Sequence, residues 1–254
     1  MLETALRAQR ERGRKLLIPY LMGGMTDDWT QTLAAVVAAG ADAVEVGIPF
    51  SDPMMDGPVI QEAALRALAR GTTLDGVCDD LARLDATVPF IAMTYYNIVL
   101  HYGLDRCAGK FSSSGIRGAI VPDLALEETP PWVAACDGAD VATVLLVAPS
   151  TPPERVDKLA AASQGFVYAS ARMAVTGASE GGGDGERVVH SIRRTSDVPA
   201  LIGIGITSAD QAKQAASVSD GAIVGSALVQ VILNGGGATE VEAFIRGFRS
   251  AIDS

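Results

Sequence analysis

"DAVEVGIPFSDPMMDGPVIQEAALRALARG", residues 42–71, contains one strand, one loop and one helix in that order. Its first seven residues are a short apolar run, its middle is broken by prolines, and "IQEAALRALARG" sets apolar residues at helical spacing among good helix formers. At the strand period of two, Val44, Val46 and Ile48 fall on one face, while Glu45 and Gly47 share the other. An acidic residue thus stands mid-strand, and Asp56 follows it across the loop, just before Gly57-Pro58 at a helix start.

Apolar runs of this kind recur eight times: "LLIPYLM" (16–22), "DAVEVGI" (42–48), "PFIAMTYY" (89–96), "GAIVPDL" (118–124), "ATVLLVAP" (142–149), "GFVYAS" (165–170), "PALIGIG" (199–205) and "GAIVGSA" (221–227). Helical spacing marks segments between them, such as "DWTQTLAAVVAAG", "DGVCDDLARLDA" and "PPERVDKLAAAS". Near-continuous apolar strands alternating with amphipathic helices read as a parallel sheet covered by helices. A count of eight favours a closed α/β barrel, the (β/α)8 or TIM barrel. The competing open, doubly wound sheet would want a GxGxxG turn after its first strand, where this chain reads "YLMGGMTDD". No linker-like change in composition divides the chain, so residues 1–254 are expected to form a single TIM-barrel domain. "LETALRAQRERG" predicts an extra N-terminal helix, and "TEVEAFIRGFRSAIDS" a closing one. "GASEGGGDGE" (177–186) is too glycine-rich for either element and is expected to be a mobile loop after the sixth strand.

The 254 residues are 48% apolar and 20% charged, enough for a large buried core. A formal net charge of −10 disfavours nucleic acid and anionic membranes as partners. An anionic small substrate would then need a local site of backbone N–H groups or helix N-termini. Cys78, Cys107 and Cys136 are odd in number and far apart, with no CxxC pair and no secretory leader, which predicts reduced thiols in the cytoplasm. With only His101 and His190, and no HExxH spacing, no metal site is expected. The chemistry falls to carboxylates, tyrosines, hydroxyls and backbone.

In such barrels the active site lies at the C-terminal ends of the strands, with a phosphate site commonly formed after strands seven and eight. "GIGIT" (203–207) and "GSALV" (225–229) occupy those two places. Gly205, Gly225 and Ser226 can present N–H groups and a hydroxyl to an anion, or can simply form tight turns. Thr176-Gly177 supplies a third candidate donor and opens the glycine-rich loop, which could cover a ligand. Glu45 is open to two readings: a carboxylate paired with Arg or Lys, or an acid/base group beside space left by Gly47. In the second, desolvation would raise its pKa from about 4.3 toward neutrality. Asp56 is equally open, as a turn or capping residue or as a catalytic carboxylate; Asp52, before Pro53, invites the turn reading more strongly. Tyr20, Tyr95, Tyr96 and Tyr168 lie at or near strand ends, as core residues or as walls of a flat aromatic pocket.

The stretch "VEVGIPFSDPMMDGPVIQ" (44–61) resembles the signature of the tryptophan synthase α subunit family, E-x-G-x-P-[FY]-S-D-P-x-x-D-G-P. The resemblance runs through "LIPYL", "MTYYN" with "YGLDRC", "IVPDL" with "EE", "GFVY" with "VTG", "GIGI" and "GSALV", nearly end to end. It implies the (β/α)8 barrel and a lyase that cleaves indole-3-glycerol phosphate to indole and glyceraldehyde 3-phosphate in tryptophan biosynthesis. By motif position it implies Glu45 as the acid/base and Asp56 as the carboxylate that engages the indole N–H. It also implies a tyrosine beside the reacting centre at Tyr168, a mobile loop at Thr176 and Gly177, and a phosphate cradle at Gly205, Gly225 and Ser226; Tyr20, Ile60 and Tyr95 are expected as further substrate contacts. No cofactor is expected on this chain; pyridoxal phosphate is expected only on a β-subunit partner, in an α2β2 assembly. The chain departs from the family pattern at "MGGMTDD" (22–28), Ala125 and Ala174. Those departures leave two alternatives: a stand-alone or secondary-pathway lyase, and a weakly active paralogue that mainly activates a β subunit.

Overall fold

A computed structural model describes residues 1–85, 87–170 and 183–254. Eight parallel strands, β1 (Leu16–Met22), β2 (Val44–Gly47), β3 (Phe90–Met93), β4 (Ile116–Ile120), β5 (Ala142–Val147), β6 (Val167–Ala169), β7 (Ala200–Ile202) and β8 (Gly221–Val224), close in chain order into a barrel. Helix α1 (Leu2–Glu11) precedes it; α2 (Trp29–Ala38), α3 (Pro58–Ala69), α4 (Leu74–Ala82), α5 (Tyr96–Tyr102) and α6 (Leu104–Ser113) accompany the first half. The second half carries α7 (Pro130–Asp137), α8 (Pro153–Ala162), α9 (Asp184–Arg193), α10 (Ala209–Val218), α11 (Ser226–Leu233) and α12 (Ala238–Asp253).

Each predicted run overlaps a strand, β4 begins two residues ahead of its run at Ile116, and most strands stop before the run does. "PFIAMTYY" ends its pairing at Met93, and Tyr96 already opens α5. Beyond the barrel wall the chain has no neighbouring ladder, so apolar residues there serve the mouth instead. The glycine-rich segment 177–186 is corrected at its end: Asp184, Gly185 and Glu186 form the first turn of α9, where acidic side chains complement the helix dipole.

Side-chain parity divides the interior into two layers. Val44, Val46 and Ile48 pack outward against the helices. Ile18, Ala43, Ile91, Ile120, Val144 and Ile223 fill the lumen, whose N-terminal end is plugged by Leu2 and Leu6 of α1. Asp42 sits at the entry to β2 and accepts hydrogen bonds from the Leu17 N–H (2.9 Å), Arg14 (2.7 Å) and Arg249 (3.0 Å), which ties α12 to the barrel floor. The three cysteines are free and buried.

Candidate active site

One step of two residues beyond the lumen layer, every strand reaches the same cavity at the C-terminal mouth. Ile18 leads to Tyr20, Ala43 to Glu45, Ile91 to Met93 and Ile120 to Pro122. Val144 leads to Leu146, Tyr168 to Ser170, Leu201 to Gly203 and Ile223 to Gly225. The cavity measures about 520 Å³, within the usual range for a small-molecule site. Ile60 and Val59 from α3, with Ile204 and Ile206 after β7, give it apolar walls.

Glu45 stands on the floor of this cavity, only 1% exposed. The paired-carboxylate reading does not describe it: its Oε1 is buried without a hydrogen-bond partner among the described residues. Burial alone pushes its pKa up to about 8, so it is largely protonated at neutral pH. The space beside it is not the vacancy expected at Gly47. A Cβ built on Gly47 would collide with the Tyr20 hydroxyl and lie 3.1 Å from Met22 Sδ, so the glycine exists to admit the phenol of the neighbouring strand. The same device recurs across the barrel, where Tyr168 lies over Gly203 and donates its hydroxyl hydrogen to the Gly203 carbonyl at 2.7 Å. Burial and both carboxylates hold the Tyr20 phenol neutral, far above its ordinary pKa.

Asp56 is neither a cap nor a free turn residue. The N-cap of α3 is Gly57, with Pro58 in the first turn, and no side chain caps it. The Asp56 carboxylate lines the cavity and accepts a hydrogen bond from Tyr95 Oη at 3.0 Å, while its carbonyl accepts from Gln61 at 2.9 Å. Burial raises its pKa and the Tyr95 hydroxyl opposes that rise. Asp52 is exposed and takes the Ser51 hydroxyl hydrogen at 2.5 Å, outside the cavity. Tyr95 corrects an expectation: it stands behind Asp56, stacked on Phe50, and does not line the cavity. Tyr20, Ile60 and Tyr168 do line it.

Across the cavity, Gly205 adopts φ +74°. Gly225 caps the N-terminus of α11, and Ser226 is its first residue. The first-turn N–H groups of a helix have no intrahelical acceptor, so this end offers donors and a positive dipole to an anion. Gly205, Gly225 and Ser226 all border the cavity. Thr176 and Gly177, with Ala174, lie outside the described residues. The unusual turn after β1 is firmly packed: the Gly23 N–H donates to the Gly47 carbonyl at 3.0 Å, and Met25 is buried. Among the described residues no group of three or more His, Cys, Asp and Glu is placed to hold a metal ion. No described helix is long and apolar enough to cross a membrane.

Sequence reasoning missed Met93, Leu146, Ser170 and Ile223 as cavity residues, although strand parity could have found them. Met93, Leu146 and Ser170 each follow a lumen residue by two positions, as Glu45 follows Ala43, while Ile223 is itself a lumen residue that reaches the cavity.

A mouth that joins a protonated glutamate, a second carboxylate, apolar walls and an anion cradle defines a (β/α)8 enzyme of acid–base chemistry on a phosphorylated, partly apolar small molecule. A family model described as "Tryptophan synthase alpha chain" matches residues 6–248. The chain is 42% identical over 241 residues to the tryptophan synthase alpha chain of Thermobifida fusca, covering 92% of this chain and 89% of that one. It is 39% identical to that of a Picosynechococcus strain, covering 97% of each. Among solved structures, a ligand-free tryptophan synthase from M. tuberculosis superposes with a TM-score of 0.90 at 34% identity, covering 100% of this chain and 99% of the other. A tryptophan synthase subunit alpha from Legionella pneumophila gives 0.88 at 29% identity, with 99% and 98% covered. The chain belongs to the tryptophan synthase alpha chain family.

Proposed function

We propose that the cavity cleaves indole-3-glycerol phosphate to indole and glyceraldehyde 3-phosphate, the carbon–carbon lyase step of tryptophan biosynthesis. The observation that carries this reading is Glu45: fully buried, with its Oε1 unpartnered among the described residues and the carboxyl protonated near neutral pH, on the floor of a cavity that also holds a hydrogen-bonded Asp56. Bond cleavage needs a proton delivered to indole C3, a proton removed from the adjacent side-chain hydroxyl, and relief of positive charge on the ring nitrogen. Glu45 delivers the first proton and, as the resulting carboxylate, accepts the second. Asp56, ionised, accepts the indole N–H and stabilises the indolenine-like state. As the C–C bond breaks, its electrons return to the ring, giving indole, and the side chain leaves as the aldehyde.

The apolar walls around Ile60, Leu146 and Ile204 suit a flat bicyclic ring, and the α11 N-terminus with Gly205 suits the phosphate. Thr176 and Gly177 are assigned to the segment that covers the bound substrate. The chemistry asks for no cofactor on this chain. A tryptophan synthase β subunit carrying pyridoxal phosphate is the proposed partner, in an α2β2 assembly, with exposed Met54 and Met55 beside the mouth as part of the surface it meets. Buried free thiols suit a reducing, cytoplasmic setting. The test is indole release from indole-3-glycerol phosphate by the purified chain, alone and with a β subunit. Release that rises on adding the β subunit is expected; no release in either case would refute the assignment.

A further inference from the structure

We propose that Tyr95 is a positioning residue for Asp56, holding the carboxylate by one oxygen so that the other stays open to the ring N–H of the substrate. This rests on the reading of Asp56 as the carboxylate that accepts that N–H. The hydroxyl of Tyr95 sits between two groups: the Met55 backbone N–H donates to it at 3.0 Å, and it lies 3.0 Å from Asp56 Oδ2. A backbone N–H can only donate, so the hydroxyl must accept there and direct its own hydrogen to the carboxylate. The polarity of the chain from backbone to Tyr95 to Asp56 is therefore set.

The loop that carries Asp56 has little packing of its own. Met54 and Met55, immediately before it, are 81% and 58% exposed. Tyr95, by contrast, is 5% exposed, stands at the N-cap of α5, and stacks on Phe50 with ring centroids 5.0 Å apart. A rigid phenol thus fixes a carboxylate on an exposed loop, the kind of second contact that sets reactive geometry. The titratable groups around the pair are Glu45 on β2, Tyr20 on β1, Tyr168 on β6 and Asp123 beside Tyr95. None of these is a cation, so among the described residues the Tyr95 hydroxyl is the group that favours the ionised form of Asp56 against its burial.

Tyr95→Phe keeps the ring and its stack and removes only the hydroxyl. Its kcat/KM for indole-3-glycerol phosphate is expected to fall roughly 10- to 100-fold, the size of a lost hydrogen bond to a charged group. The acid limb of its pH profile should move to higher pH, while the alkaline limb set by Glu45 stays in place. In an Asp56→Asn background, where no ionised carboxylate remains to be held, Tyr95→Phe should have little further effect. Circular dichroism and Tm on each variant verify that the fold is intact. An unmoved acid limb, or a loss that simply adds to that of Asp56→Asn, would overturn the positioning role even if activity fell. Wild-type turnover by Asp56→Asn would instead sink the reading of Asp56 on which the proposal stands.

Discussion

Glu45→Gln is expected to stabilise the protein increasingly as pH rises, while abolishing turnover. In the folded protein the carboxyl titrates at about 8, against an ordinary value of 4.5. Between those values the folded protein keeps a proton that the unfolded chain has released. The stability tied to this proton is full below the unfolded value and is lost as pH climbs through the folded one. The interval from 4.5 to 8, at 1.36 kcal/mol per pH unit, comes to roughly 5 kcal/mol, of which roughly 3 kcal/mol has gone by pH 7. Glutamine has no proton to release, so its advantage over wild type should grow by roughly 4 kcal/mol between pH 5 and pH 9, the remainder having been lost below pH 5. Urea unfolding of both proteins at pH 5, 7 and 9, with slopes compared to verify two-state behaviour, measures it directly. Curves that shift in parallel at all three values would refute the account, because Glu45 would then be ionised in the folded protein. A gain in stability coupled to a loss of activity is what a group buried for chemistry should show.

Two further outcomes follow from the geometry. Gly47→Ala places a Cβ against the Tyr20 hydroxyl, 2.9 Å from Tyr20 Cζ and 3.1 Å from Met22 Sδ. Overpacking of this kind costs about 1–3 kcal/mol, so Tm and kcat/KM should both fall; unchanged values would mean that Tyr20 does not occupy that space. Ser226→Asp puts a negative charge at the α11 N-terminus, which the helix dipole tolerates but a phosphate does not. KM should rise roughly tenfold or more with Tm nearly unchanged, and an unaltered KM would remove Ser226 from the phosphate site.

The barrel was legible because most strand residues are buried on both faces and read as apolar runs, as "LLIPYLM" shows by matching the fully buried β1 from end to end. Strand ends were less legible. The predicted run goes on through Tyr95 and Tyr96, but the last bond to β4 is made by the Thr94 N–H to the Ile120 carbonyl at 3.0 Å, and Tyr96 already opens α5. Glu45 was conspicuous because a carboxylate interrupts an apolar period, and Asp56 because it follows in the same motif. The function of Gly47 was misread since a missing side chain looks the same in sequence whether a ligand or a neighbouring tyrosine fills the space. Tyr95 was misplaced for a related reason: its partner, Asp56, is 39 residues away, and no local pattern encodes that hydrogen bond. The apolar lining at Met93, Leu146 and Ile223 looked like ordinary core, which differs from cavity wall only by height along the strand.

The central claim is that one cavity brings Glu45, Asp56 and the α11 N-terminus to bear on a single indole-glycerol phosphate. A crystal structure with a non-cleavable analogue of that substrate tests it most directly. The account predicts the ring nitrogen within hydrogen-bonding distance of Asp56, the carboxyl of Glu45 against the ring carbon that bears the side chain, and the phosphate on the N–H groups at Gly205 and Ser226. An analogue bound with its ring away from both carboxylates, or its phosphate away from α11, would contradict it.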